Sequence, residues 1–313
     1  MNPERYQLMV QVARLHYTHQ KSQQDIAKQL GLSRPTISRL IADAIKHKIV
    51  TFTIHDDQSD LLDLENDIQE KYGLKAVKVA NVVNENYEYV LNALGQTAAQ
   101  YIEALIKAGD ILGVSWGRTI YHVSKHLSQT HLEDIQVVQL KGGVSQSQRK
   151  TYSYETIDRF AHAFNTEPVL LNLPVIFENQ HIKDTILSDS HIARVLNLAQ
   201  KANIAVFTVG SVRPNALLFQ LNYLTEAEIT QLQTEGVGDI CSRFYNAHGQ
   251  IVNQELDQRT VGLSLNEIKN KDHAILVAGG QHKLAAIKGA LSSGFCNELI
   301  TDKYTAKQLL VKG

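Results

Sequence analysis

The sequence predicts an α/β protein in two parts, a small helical head followed by a doubly wound, largely parallel sheet. Three observations support this prediction. Apolar runs of strand length alternate with helical segments from residue 75 to the end, which is the pattern of a parallel sheet covered on both faces. The length of 313 residues favours one large and one small domain. The first 55 residues are basic, whereas the remainder is acidic.

The charge is distributed unevenly between these two parts. The net charge is −1, but residues 1–55 carry +5 and the remaining residues carry −6. A small basic head on an acidic body suggests that the head binds a polyanion. A solvated basic helix face would give the same excess, so the charge alone leaves both interpretations open.

Several classes of protein are disfavoured by composition. No apolar run approaches the roughly 18 residues that a transmembrane helix needs. The N-terminus lacks the apolar core of a signal peptide, and the two cysteines, Cys241 and Cys296, form neither a metal-ligand spacing nor a disulfide framework. We therefore expect a cytoplasmic protein with no membrane partner, no metal and no cofactor.

Two helices joined by a short turn are predicted within the head. Ser22 can cap a helix over 23–30, and Gly31 can end it because glycine readily adopts a positive φ. Ser33 can cap a second helix, whose first turn tolerates Pro35 because the N–H that proline lacks would have no partner there. The segment 48–55 is predicted to form a short strand pair, or wing, that closes the head.

The spacing of the apolar residues predicts a helix-turn-helix, whose second helix enters the major groove. The residues predicted to face inward are Ile26, Ala27, Leu30, Leu32, Ile37, Leu40 and Ile41. The residues predicted to contact DNA are Gln23, Ser33, Arg34, Pro35, Thr36, Ser38 and Arg39. Arginine can bind a guanine edge or a phosphate, and hydroxyls suit phosphates or base edges. A hairpin used only for packing is the alternative, but it would not need exposed basic and hydroxyl residues.

Beyond a polar linker at 55–60, the body alternates strands and helices, which places the domain boundary between 1–55 and 56–313. Strands are predicted at 75–81, 110–115, 135–140, 168–177, 203–210, 273–280 and 298–302. Helices are predicted at 61–74, 86–109, 118–127 and 282–291 and at the C-terminus. The helix at 61–74 can pack on its own sheet or form a dimer contact.

Ligands of such sheets bind beyond the carboxyl ends of the strands. These ends are Ser115–Thr119, Lys141–Gly143, Val209–Arg213 and Gly279–Lys283. Most of them combine glycine, a hydroxyl or amide donor, and a cation at a strand-to-helix junction. Backbone N–H groups at a helix start form an anion site, and phosphate is the small anion that we expect there. Neither GxGxxG nor GxxxxGK[ST] occurs, so nothing favours a dinucleotide or a nucleoside triphosphate.

An enzyme of the phosphosugar isomerase or deaminase type is the alternative to a regulator. Such an enzyme needs a general base near its substrate, and Asp239 and His282 are available. The head favours the regulator, because an enzyme has no use for a helix arranged to enter the major groove.

The head and the segments DILGVSWGRT, VVQLKGG, VGDICSRF and ILVAGG resemble those of SorC-family bacterial transcriptional regulators. The similarity covers essentially the whole chain. It implies a phosphosugar-binding body with the fold of phosphosugar isomerases, and dimers or tetramers that leave their operator DNA when a sugar phosphate binds. Within the family the resemblance favours a repressor of deoxyribonucleoside catabolism genes with deoxyribose 5-phosphate as effector; another phosphosugar pathway remains an alternative.

Carried over by position, the resemblance implies a phosphate loop at Gly117, Arg118 and Thr119. It implies a ligand-facing Lys141, an acidic hydroxyl-binder at Asp239 and a second cation at Lys283. Arg118 departs from the small hydroxyl residue expected in that loop and can either strengthen or crowd phosphate binding.

Two residues of the body have more than one predicted role. Lys141 can act as an ammonium ion or as an amine that forms a Schiff base, with Gly142 and Gly143 letting the ligand approach the backbone. Trp116, the single tryptophan, lies either in the anion loop or in the core.

Overall fold

A computed structural model of the protein describes residues 3–50, 57–143 and 151–311. Contacts within the chain divide it into two compact units, Met1–Asp56 and Asp57–Gly313. This division lies one residue from the boundary predicted from the sequence.

The first unit is helical. Its elements are α1 (Pro3–Ala13), a π-helical turn (Arg14–Thr18), α2 (Gln23–Leu30) and α3 (Arg34–Lys46). The caps form as predicted: the amide of Asp25 donates to Ser22 Oγ at 3.2 Å, and that of Thr36 donates to Ser33 Oγ at 3.3 Å. Gly31 ends α2 with φ at +66°.

The core of this unit contains the apolar residues predicted to face inward, together with a helix that the sequence analysis did not identify. Ile26, Ile37 and Leu40 are buried, and α1 packs against α3 with Met9 and Val12 fully buried. Two short helices bury little surface between them, so the third helix is needed to complete a core. The predicted wing falls mainly on residues 51–56, outside the described residues, and residues 48–50 form a turn after α3.

The second unit contains a seven-stranded parallel sheet, which confirms the predicted α/β class with a largely parallel sheet. Its strands are β1 (Ala76–Ala80), β2 (Ile111–Val114), β3 (Gln136–Gln139), β4 (Pro168–Val169), β5 (Ile204–Phe207), β9 (His273–Val277) and β10 (Glu298–Asp302), in the spatial order β1-β10-β9-β5-β2-β3-β4. A smaller antiparallel sheet contains β6 (Val209–Gly210), β7 (Gly238–Ile240) and β8 (Arg243–Tyr245).

Helices cover both faces of the parallel sheet. The helices of this unit are α4 (Asp57–Tyr72), α5 (Tyr87–Leu105), α6 (Arg118–His126), α7 (Ser153–Ala163), α8 (Gln180–Leu187), α9 (Ser190–Lys201), α10 (Glu226–Glu235), α11 (Gln254–Gln258), α12 (Leu265–Lys269), α13 (Leu284–Ser292) and α14 (Lys303–Leu310). Successive strand residues point to opposite faces, so Val138 and Phe207 enter one core cluster and Val137 and Val206 enter the other. Within the described parts of the chain, none of the helices has the length and apolar character needed to cross a membrane.

The helix predicted at 61–74 is α4, and it packs on its own sheet. It contacts β1 and α14, and Ile68 is fully buried against the core. Of the two roles that the sequence left open for this helix, the structure shows this one.

Two predicted strands are wrong in part. The segment 168–177 forms a regular strand only over β4, and further along it makes an isolated antiparallel bridge from Ile176 to Thr260. The segment 203–210 divides at Thr208: β5 belongs to the parallel sheet, but β6 turns away and pairs with β7. The apolar content of each segment indicates that it contains a strand, but it does not indicate where the strand ends or where the chain changes sheet.

Candidate functional site

The order of the strands creates a crevice at the carboxyl edge of the parallel sheet. The chain proceeds outward from β2 to β3 and β4, and it then returns to β5 on the other side of β2. The loops after β2 and β5 therefore diverge, and such a switch point is where open α/β sheets bind ligands. Loops after β2, β3, β5 and β9 supply the predicted strand-end residues to this edge.

Four residues form what we call the amine cluster: Trp116, Lys141, Asp239 and Ser242. Lys141 Nζ donates to Ser242 Oγ at 3.2 Å and lies 3.8 Å from the centre of the Trp116 ring. Trp116 Nε1 donates to the Gly142 carbonyl at 2.7 Å, so the tryptophan is both a buried core residue and part of the site. Asp239 Oδ2 accepts the amide N–H of Ser242 at 2.9 Å.

Burial governs the electrostatics of this cluster. The Lys141 and Asp239 residues are each only 5% exposed. Burial lowers the pKa of Lys141, and the charges of Asp239 and Cys241 oppose that shift. Burial raises the pKa of Asp239, against the opposing charges of Lys141 and Lys283. The lowered pKa of Lys141 thus has desolvation as its cause.

A second group, the hydroxyl cluster, contains Thr119, Thr208 and Lys283. Lys283 Nζ donates to both threonine hydroxyls at 3.2 Å. Gly117 begins α6 with φ at +135° and has no side-chain cap, so the first amides of that helix lie beside this cluster. The nearby Ser115 Oγ is buried and has no hydrogen-bond partner among the described residues. A cation, hydroxyls and helix amides together are suited to bind phosphate.

Packing explains the two glycines after Lys141. A Cβ on Gly142 would lie 2.7 Å and 2.6 Å from the carbonyl oxygens of Leu173 and Pro174. A Cβ on Gly143 would lie 1.9 Å from Ser153 Oγ. These distances show that packing alone disfavours a side chain at either position. The role predicted for the two glycines, which is to let a ligand approach the backbone, stays a prediction.

Arg118 lies apart from the two clusters. Its guanidinium pairs with Glu88 and lies 5.7 Å from the centre of the Tyr87 ring. His282 contacts the same tyrosine edge-on at 4.5 Å, and burial, with Lys283, Arg213 and Arg118, lowers its pKa to about 4. The side chains of both residues therefore lie at the edge of the candidate site. His282 also borders a cavity of about 700 Å³, which neither the amine cluster nor the hydroxyl cluster lines.

Sequence reasoning missed Thr208 and Ser242 as contacts of the two lysines. Thr208 lies inside an apolar run that was predicted to be one strand, so its position at a sheet change was not visible. Ser242 lies within the segment VGDICSRF, but nothing in the sequence indicates that a turn carries it to Lys141, 101 residues earlier. Only the fold brings these side chains together.

The first unit presents a polar surface along the start of α3. Ile37 and Leu40 point into the core, which leaves the intervening residues outside. The residues exposed on this surface are Ser33, Arg34, Pro35, Thr36, Ser38 and Arg39, with Gln23 partly exposed at the start of α2. Ser33 Oγ also contacts Thr36 Oγ1 at 2.8 Å, so the capping hydroxyls hold each other in place.

The fold of the body and the following matches to known proteins identify a sugar-binding transcriptional regulator. Residues 56–311 match the Sugar-bind family of sugar-binding domains, and the chain belongs to the SorC family of regulators. It is 43% identical over 310 residues to the deoxyribonucleoside regulator of Bacillus subtilis, covering 99% of each chain. It is 31% identical to the sorbitol operon regulator of Klebsiella pneumoniae, again over 99% of each. The crystal structure of that full-length Klebsiella regulator superimposes with a TM-score of 0.76, covering 99% of this chain and 100% of that one.

Proposed function

We propose that this regulator binds operator DNA through its helical head and leaves it when deoxyribose 5-phosphate binds the body. It would act as a repressor of genes for deoxyribonucleoside catabolism. The observation that carries the proposal is a buried lysine at the switch point, beside a second lysine held by two hydroxyls. The name of the Bacillus relative supports the pathway.

The exposed start of α3 supports DNA binding by a helix-turn-helix made of α2, the turn and α3. Arg34 and Arg39 are free of partners among the described hydrogen bonds and ion pairs, so both are available to a guanine edge or a phosphate. Thr36 and Ser38 offer hydroxyls to phosphates, and Gln23 lies at the start of α2. Two heads are needed for useful affinity, so we expect a dimer or tetramer and an operator with half-sites spaced by whole helical turns.

The hydroxyl cluster is our candidate for the phosphate. Lys283 supplies a positive charge, Thr119 supplies a hydroxyl, and the uncapped start of α6 after Gly117 supplies amides. Arg118 is turned towards Glu88 and would need a new rotamer to reach the same phosphate. Asp239, at the other end of the site, suits a sugar hydroxyl.

Lys141 is our candidate for a covalent contact with the sugar. A desolvated amine is more often neutral, and its lone pair can then attack the C1 aldehyde of the open-chain sugar. The carbinolamine that forms loses one water to give an imine, and hydrolysis reverses both steps. The opposing interpretation is electrostatic, with the Lys141 ammonium paired to a phosphate or hydroxyl.

A gel-shift assay on the DNA upstream of the regulated genes tests the whole proposal. We expect a shifted complex that deoxyribose 5-phosphate dissociates, whereas ribose 5-phosphate at the same concentration does so less. The same sugar phosphate should change the fluorescence of Trp116, because Lys141 Nζ lies against its ring. DNA binding without any response to the sugar phosphate would refute the effector, and turnover of phosphosugars without DNA binding would refute the regulator.

A further inference from the structure

The turn between β7 and β8 has a backbone conformation that its residues disfavour. The strands pair as Ile240 with Arg243, which leaves Cys241 and Ser242 as a two-residue hairpin turn. Both have positive φ, +50° and +70°. Turns of this kind favour Asn-Gly, because side chains with a Cβ are strained at positive φ. Strained turns that persist in a buried site often serve its function.

The contacts of Ser242 explain why a side chain is useful at this strained position. Ser242 is fully buried, and its amide N–H donates to Asp239 Oδ2 at 2.9 Å. Its Oγ accepts the hydrogen bond of Lys141 Nζ at 3.2 Å. Glycine would suit the backbone better, but it would offer the lysine no oxygen.

Few other groups orient the Lys141 amine. Its Nζ lies against the face of Trp116, which blocks one side without fixing a direction. Among the described residues, Lys141 and Asp239 form no ion pair within 4.0 Å, and Ser242 supplies the hydrogen-bond acceptor that the side chain uses. The position of one hydroxyl therefore fixes where the amine points.

We propose that Ser242 is a positioning residue, whose hydroxyl holds the Lys141 amine in the direction from which it attacks the effector aldehyde. The inference rests on the proposed function, since it concerns the imine. A neutral amine that donates one N–H to Ser242 keeps its lone pair free for the aldehyde. Without that acceptor the amine can rotate on its flexible stem, and a misplacement of about 1 Å can slow a reaction about 100-fold.

Two substitutions separate the hydroxyl from the backbone of the turn. Ser242→Ala and Ser242→Gly both remove Oγ, but glycine also relieves the strain at positive φ. The measurement is the rate at which cyanoborohydride traps the adduct of the full-length protein with deoxyribose 5-phosphate, as a function of sugar concentration. We expect the limiting rate to fall about 10- to 100-fold in both variants, with a smaller change in the half-saturating concentration. Ser242→Gly should nevertheless melt at a higher temperature than Ser242→Ala.

Asp134 offers a matched control, because it is exposed and also has a positive φ, +60°. Asp134→Gly should melt above Asp134→Ala, and both should trap the sugar as wild type does. A wild-type limiting rate in Ser242→Ala would overturn the positioning role. Recovery of that rate in Ser242→Gly alone would show that the turn conformation matters rather than the hydroxyl. If the wild-type protein itself forms no adduct, the proposed imine is wrong, and the positioning role of Ser242 is wrong with it.

Discussion

The head and the body display their functional residues in opposite ways. In the head, the candidate DNA contacts lie within 23–39 and are mainly exposed on two adjacent helices. In the body, Thr119, Lys141, Asp239 and Lys283 come from distant parts of the chain and are buried. A surface side chain can be changed without disturbing the fold, whereas a buried one serves the fold and the ligand together. Substitutions should therefore separate function from stability in the head more cleanly than in the body.

The largest effect that would test this comparison is expected at Lys141. Lys141→Arg keeps a positive charge but has no nucleophilic amine, because the guanidinium remains protonated. We expect complete loss of the borohydride-stable adduct and of the release from DNA by deoxyribose 5-phosphate. Mass spectrometry of the wild-type peptide should show the mass of one sugar phosphate less one oxygen atom.

Lys141→Ala is the companion variant. It should bind operator as wild type does, because the DNA contacts belong to the other unit, and it should ignore the sugar phosphate. If Lys141→Arg responds to the sugar like wild type, the imine is wrong and the electrostatic interpretation stands.

The next largest effect is expected on the surface of the head. Arg34→Ala and Arg39→Ala should each weaken operator binding by about 1–3 kcal/mol, or about 5- to 150-fold, if the arginine contacts a guanine edge. A lost phosphate contact would weaken all DNA sequences alike. Fluorescence anisotropy with operator and unrelated DNA distinguishes the two cases, and trapping of deoxyribose 5-phosphate is the control that should not change. Unchanged operator affinity in both variants would remove α3 as the recognition helix.

Alanine substitutions at one glycine of the body and one of the head compare how the two units tolerate an added methyl group. Gly142→Ala in the body forces a methyl group against two backbone carbonyls and should cost about 1–3 kcal/mol of unfolding free energy. Gly31→Ala in the head meets no atom within 4 Å, so it should cost only the strain of positive φ, about 1 kcal/mol. Chemical denaturation of the full chain measures both. If Gly31→Ala lost more unfolding free energy than Gly142→Ala, the backbone around Leu173 would have to move to make room for the methyl group at position 142.

A further effect is expected from pH, at the edge of the body site. The pKa of His282 is lowered from 6.5 to about 4 in the folded protein. As the pH falls from 6.5 towards 4, the unfolded chain takes up a proton that the folded chain does not, so this histidine makes unfolding easier. His282→Gln should therefore lose less stability than wild type over that interval, measured by urea unfolding at several pH values. Equal losses in both proteins would contradict the shifted pKa.

Much of the fold follows from local patterns that the sequence shows directly. The caps at Ser22 and Ser33 and the break at Gly31 depend on neighbours within four residues, and the structure has all three where they were predicted. Continuous apolar runs likewise predicted the central strands of the parallel sheet, because such a run is visible within a few neighbouring residues. The small antiparallel sheet was missed, because strands of two or three residues carry weak periodicity. The helix α1 was missed as well.

The sequence by itself determined the two-part architecture, the exposed basic face of α3, and the presence of cations and hydroxyls at strand ends. The tertiary structure decided which of those residues meet. It joined Lys141 to Ser242 and Trp116, joined Lys283 to Thr119 and Thr208, and turned Arg118 towards Glu88. The physical reason is the distance along the chain over which each feature is decided. Helix caps and amphipathic faces depend on neighbours a few residues away, whereas the environment of a buried amine depends on segments that only the folded sheet brings within hydrogen-bonding distance.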